Sequence, residues 1–195
     1  FDADRFLQHN AFRAPGASSL EELAARTSKV DYFIGVYSKM RHGIIGHEEY
    51  VGAENVHLLG EMNFVFLCLE GGSAKKLIVE YLERMDVPFI DVGLGVQVTD
   101  DALGGQMRVT TSTPEMREHL RRHISFADDG LDQDYDRNIQ VADLNALNAT
   151  LAVIRWKKYC GFYRDLDREH HSLYTIDGNR IANAELPHYA AAADA

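Results

Sequence analysis

The chain has no CxxC pair, no apolar run near the roughly 18 residues that span a bilayer, and no surplus of basic residues. Each absence removes a class of function. Two cysteines, Cys68 and Cys160, make neither a disulfide framework nor a pair of zinc knuckles, which points to a reducing compartment, by default the cytoplasm. A net charge of −10, from 20 Lys and Arg against 30 Asp and Glu, argues against a nucleic-acid partner, because phosphate contacts need clustered cations. It leaves a nucleotide ligand open, since a few placed cations suffice. No internal repeat is present, and no Gly-x-Gly-x-x-Gly lies near the start. What is there, 195 residues with 46% apolar and 26% charged content, suits one globular domain with a sizeable core and no membrane partner.

The apolar pattern sets out the elements. Ser19 is a candidate N-cap for a short helix over 20–24. From Lys29 to about Arg41, Val30, Phe33, Ile34, Val36, Tyr37 and Met40 recur at three- and four-residue spacing, which predicts an amphipathic helix. Residues 43–51 read as β-like and 53–59 as a short helix. The run 63–69 is apolar on both faces, as a covered parallel strand requires, and it predicts a buried, structural Cys68. Gly71 and Gly72 break that run, residues 73–84 resume helical spacing, and Pro88 opens a second buried strand over 89–93. Strand, glycine turn, helix and strand in that order predict a right-handed crossover. A strand over 106–112, a helix over 114–122, a long helix over 139–159 and a hairpin of 172–176 with 180–182 follow. Cys160, before Gly161, reads as structural too.

Candidate chemistry gathers at the start. Asp2-Ala3-Asp4 precedes a polar segment, His9-Asn10-Ala11-Phe12-Arg13, and Lys29 opens the next helix. In a dinucleotide-type βαβ unit an acid at the end of the second strand holds the ribose, roughly 20 residues past the phosphate loop. Because the chain begins with Phe1 and shows no such loop, it reads as the remainder of a longer parent. His119 and His123 are one helical turn apart and His170-His171 adjoin an acidic segment, but no third convergent ligand is visible for a metal. Asp91, closing an apolar strand, is a further candidate or a turn cap.

The ordered set resembles the ThiF/MoeB/HesA superfamily of adenylating enzymes, relatives of ubiquitin-activating enzymes. Asp2-Ala3-Asp4 looks like that family's acid-x-acid, His9 to Arg13 like its Ser-Asn-Leu-x-Arg segment, and Lys29-Val30 like its nucleotide lysine. Phe64 to Gly71 resembles its strand closing with Asp-Asn, and Gly105 to Val109 its Glu-Gly-Gln-x-x-Val strand. Residues 144–159 with 173–178 look like its closing helix and hairpin. Here His9 stands for the usual serine, Glu70 for the aspartate and Gly71 for the asparagine. The link 124–136 carries no cysteine for a thioester step.

The resemblance implies an α/β fold: a Rossmann-like, mainly parallel sheet flanked by helices, with a C-terminal long helix and β-hairpin, and the first βα unit missing. It implies one partial adenylation domain over 1–195. Residues 1–123 form the nucleotide-binding part, 124–136 an acidic crossover loop, and 137–195 the closing helix and hairpin. The activity implied is ATP-dependent adenylation of a carboxylate, usually the C-terminal glycine of a ubiquitin-like or sulfur-carrier protein, in a homodimer. Arg13 would clamp the phosphates, Lys29 would add a point charge, and Glu70 would hold magnesium. Asp2 would accept the ribose hydroxyls, and His9, Asn10 and Gly71 would complete the ATP contacts. No structural zinc is implied. Two rivals stand beside this reading: an inactive nucleotide-fold interaction module, and a nicotinamide-dependent oxidoreductase using Asp2 as its ribose acid.

Overall fold

Two of the apolar runs lie side by side. Residues Val65–Leu67 (β1) and Phe89–Thr99 (β2) pair in parallel, Val65 opposite Phe89 and Leu67 opposite Asp91, with helix α4 (Ser73–Arg84) as the crossover. The structure, a computed structural model, describes residues 1–14, 16–126 and 139–187. Strands β3 (Ala102–Ser112), β4 (His171–Thr175) and β5 (Arg180–Ala184) complete a five-stranded sheet in the order β1-β2-β3-β4-β5. The remaining helices are α1 (Gln8–Arg13), α2 (Leu20–Ala25), α3 (Lys29–Tyr37), α5 (Leu120–His123) and α6 (Ala142–Tyr159), with a 3-10 turn over Val56–Glu61.

The α/β class and the closing helix and hairpin stand as expected. The sheet, however, is mixed: only β1 and β2 are parallel among the described strands, and β2/β3, β3/β4 and β4/β5 are antiparallel. Strands β2 and β3 run on as long antiparallel arms, joined through Asp100 and Asp101, both at positive φ (50° and 60°) as a tight primed turn demands. The strand expected over 89–93 runs on through Gly93 and Gly95 to Thr99. Gly95 lies opposite Gln106, and a Cβ on the neighbouring Gly105 (φ +144°) would fall 2.1 Å from the Gly95 carbonyl oxygen. Glycine is required there by backbone contact, not by a turn.

Other local readings are corrected by tertiary contacts. Residues 43–51 form no strand, and the short helix over 53–59 is the later 3-10 turn, begun where the Asn55 amide oxygen accepts from the Gly52 N–H at 2.8 Å. The helix over 114–122 shrinks to α5, because Thr113 and Met116 pair as an isolated bridge and the Arg117 guanidinium donates to the carbonyls of Thr113 and Glu83. Cys68, expected to be buried, retains exposed surface at the carboxyl end of β1; desolvation and the Asp91 carboxylate push its thiol up. Most of the acidic link lies outside the described residues.

Each sheet face carries its own core. On one, Ile78, Val79 and Leu82 of α4 pack with Leu67, Phe89, Leu120 and the 3-10 residues Val56 and Leu59. On the other, Leu151, Ala152 and Trp156 of α6 cover Ile90, Val92 and Val109. The N-terminal segment is tied to α3 through backbone: Phe6 N–H donates to Thr27 O at 2.8 Å and Lys29 N–H to Asp4 O at 2.9 Å. Phe6, fully buried, stacks on Tyr32 at 3.9 Å between ring centroids. These bonds lay Asp2 to Asp4 alongside the first turn of α3. No helix among the described residues is long and apolar enough to cross a membrane.

Candidate functional site

Lys29 is the first residue of α3 because Ser28 caps that helix, its buried hydroxyl accepting from the Asp31 N–H at 3.0 Å. From that position its ammonium reaches Asp4 at 2.5 Å and Asp2 at 3.5 Å. The Tyr50 hydroxyl donates to the other oxygen of Asp4 at 2.5 Å. The Lys29 ammonium and the Tyr50 hydroxyl hold the Asp4 carboxyl below its usual range, against the opposing effect of burial. The acid nearest the cation is thus Asp4, the second of the pair, and Tyr50 is a partner the sequence did not point to.

Asn10, Arg13 and Lys29 line one cavity of about 340 Å³, open to solvent and bounded by Phe6 and Phe33 and by Gln140, Asn145, Ala146 and Ala149. Asn10 is buried, and its side-chain oxygen accepts from the Leu7 N–H at 2.9 Å, which leaves the amide nitrogen as the group with donors to offer. The Asn145 amide donates to the Arg13 carbonyl at 3.2 Å and fastens the end of α1 to α6. His9, Glu70 and Gly71 are exposed and do not line this cavity. Glu70 and Gly71 follow β1 and lead into α4, whose N-cap Gly72 sits at φ +99°. Among the described residues no three His, Cys, Asp or Glu side chains group so as to hold a metal ion. Glu70 could serve magnesium only in the mode in which one carboxylate is supplemented by phosphate oxygens and water.

A second charged cluster lies under that loop. Asp91 is fully buried on β2, with the Lys75 ammonium at 2.7 Å from one oxygen and the Arg108 guanidinium at 2.6 Å from the other. Neither oxygen has a well-directed hydrogen bond, so short-range charge holds the carboxylate. Sequence reasoning singled out Asp91 and missed both partners. A signal existed: Lys75 sits on the stripe shared by Ile78, Val79 and Leu82, a place where a cation needs a buried counter-charge.

The histidines also converge. His119, His123, His170 and His171 meet where α5 packs on β3 and β4: His123 stacks on His171 at 3.7 Å, and His119 meets His170 edge-on at 5.8 Å. Burial lowers His119, His170 and His171, the last to about 4. Glu185 accepts from His123 at 2.7 Å and from Arg122 at 2.9 Å, which holds its carboxyl down at about 2. The unfolded chain binds more protons than the folded one between about pH 6.5 and 4, so histidine-linked stability is complete above that window and lost as pH falls through it. His171 alone accounts for about 3 kcal/mol across that interval. Asp4 and Glu185 add a loss at lower pH. Urea midpoints measured from pH 7.5 to 4 are expected to fall steadily below pH 6.5; a midpoint level down to pH 5 contradicts this account.

No protein-family model matches the sequence, and no curated protein matches it. Solved structures do. PaaA matches with TM-score 0.65 and 16% identity over 95% of this chain and 55% of its own. E. coli MccB with ATP matches with TM-score 0.62 and 16% identity over 97% of this chain and 56% of its own. E. coli MccB with AMPCPP and MccA gives 0.63 and 15% over the same shares. At this identity the likeness is one of fold, and the chain spans about half the length of the structures it matches.

Proposed function

We propose that the chain carries part of an ATP-dependent enzyme that activates a carboxylate as its acyl adenylate, releasing pyrophosphate. The observation that carries this reading is the shared cavity: Asn10, Arg13 and Lys29 all line it, with Asp2 and Asp4 paired to the lysine ammonium. Two cations and an amide donor suit a polyphosphate, and the acids against the lysine suit ribose hydroxyls. The fold supports it as well, since MccB with ATP and MccB with AMPCPP and MccA share this architecture.

Attack of an ionised carboxylate on the α-phosphate needs no general base, and the chain's work is to place charge against the departing pyrophosphate. Arg13 would bridge two phosphate oxygens, and Lys29, preset by Asp4 and Asp2, would exchange part of its carboxylate contact for phosphate. Glu70, with Gly71, would hold magnesium at the carboxyl end of β1, in the crevice where open α/β sheets bind ligands. The acyl substrate would be a peptide or the C-terminal glycine of a ubiquitin-like or sulfur-carrier protein, and the working form a homodimer in the cytoplasm. His9 would lie on the outer side of the nucleotide.

Calorimetric titration of the full-length protein with ATP and with NADH, followed by ATP–pyrophosphate exchange with and without candidate carriers, tests this. ATP binding with carrier-dependent exchange is expected. NADH binding in preference to ATP overturns the reading, and ATP binding with no exchange for any carboxylate reduces the chain to an inactive nucleotide-fold module.

A further inference from the structure

The register of the sheet sets three polar residues in a row on the face covered by α4 and α5. Asp91 on β2 is the direct partner of Thr110 on β3, and Thr110 of His171 on β4, so their side chains share one face. Thr110 and Asp91 are fully buried, and His171 is buried as well. Arg108, two residues along β3, spans the gap between the first two: its Nη1 lies 2.6 Å from the Asp91 carboxylate and donates to the Thr110 hydroxyl oxygen at 3.3 Å. The Thr110 hydroxyl stands 3.0 Å from His171 Nδ1. A continuous path therefore runs from Lys75 on the first turn of α4 through Asp91, Arg108 and Thr110 to the imidazole, and by ring stacking to His123 and Glu185.

The direction of each bond follows from the donors available. Arg108 can only donate, so the Thr110 oxygen accepts, and the hydroxyl proton goes to an unprotonated His171 Nδ1. A proton arriving at Nδ1 turns that acceptor into a donor. Two donors would then face one hydroxyl oxygen, the hydroxyl hydrogen would lose its partner in a dry site, and a new cation would stand near Arg108. Among the described residues the groups facing His171 are Arg108 and Thr110 from β3, His119 and His123 from α5 and its cap, neighbouring His170, and Glu185 beyond β5, which also pairs with Arg122. Glu185 is the single anion of that set, so added protons accumulate repulsion.

We propose that His171 is a protonation-sensitive positioning residue: by accepting or refusing the Thr110 hydroxyl proton it sets the grip of Arg108 on Asp91, and with it the Lys75 ammonium at the start of α4. Lys75 is five residues beyond Glu70, so the relay would tune the loop given to magnesium. That consequence rests on the proposed function; the relay itself rests on geometry.

The test is nuclear magnetic resonance on the full-length protein, following the Lys75 side-chain Cε signal and the His171 Cε1–H signal together through an acid titration. In the wild type the Lys75 signal is expected to shift in step with His171. In Thr110→Val, His171 still titrates and the Lys75 signal stays flat through that step. A wild-type Lys75 signal that ignores His171, or one that follows it equally in Thr110→Val, overturns the relay. Should acid unfold the protein before His171 titrates, a double-mutant cycle at pH 7.5 decides. Midpoint losses for Arg108→Gln and His171→Gln are expected to be non-additive with Thr110 present and additive in Thr110→Val; additivity in both backgrounds overturns the relay. Neither measurement uses ATP or turnover, so its failure and that of the adenylation reading are told apart.

Discussion

Asp91→Ala is expected to lower the unfolding free energy by about 3 to 5 kcal/mol. The cause is what would be left behind. The Lys75 side chain is 3% exposed, and without Asp91 its ammonium would have neither water nor a counter-ion, while the Arg108 guanidinium, 21% exposed, could turn partly toward solvent. Urea unfolding at pH 7.5 measures the loss. A paired control separates charge from volume: Lys75→Met with Asp91→Leu removes both ions and fills their space, and it is expected to regain most of the stability, because well-packed apolar groups commonly match a buried ion pair. A loss under about 1 kcal/mol in Asp91→Ala, or a double variant as unstable as the single, removes this explanation.

Arg13→Ala is expected to reduce ATP–pyrophosphate exchange by on the order of 30- to 1000-fold in the full-length protein, about 2 to 4 kcal/mol of transition-state stabilisation. Arg13, the last residue of α1, lines the cavity and its carbonyl is held by Asn145, so removing the side chain takes away charge without releasing the helix. Arg13→Lys is expected to restore little, since an ammonium cannot bridge two phosphate oxygens. An unchanged exchange rate in Arg13→Ala ends the assignment of Arg13 as the phosphate clamp. Lys29→Met is a less clean probe: it also frees Asp2 and Asp4 to repel each other beside Tyr50, so a fall in activity there mixes chemistry with local disorder.

Elements governed by local periodicity are legible residue by residue. The helix predicted over 73–84 is α4 to the residue, and Lys29 opens α3 as its spacing requires, although α3 ends at Tyr37 rather than near Arg41. The hairpin around Asp177 to Asn179 returns as β4 and β5. Legibility fails where a residue's role is set by a distant neighbour. The strand expected over 89–93 continues to Thr99, and nothing nearby in sequence says that Arg108 will lie over Gly93 and the Gly105 backbone against Gly95. Pro114 suggests a helix start, yet Arg117 is drawn off by the Glu83 carbonyl of a different element. Of the site, the order of Asp2, Asn10, Arg13 and Lys29 is visible along the chain, while Tyr50 and the α6 wall are not.

The sequence by itself determined the α/β class, the crossover through α4, and the gathering of acid, amide and cations near the start, because apolar spacing and capping act over a few residues. Only the tertiary structure decided that Lys29 leans on Asp4 more closely than on Asp2, that Lys75 and Arg108 share Asp91, and that four imidazoles pack together. Burial and pairing of charge depend on which elements meet across the sheet, and strand register, not local pattern, fixes those meetings.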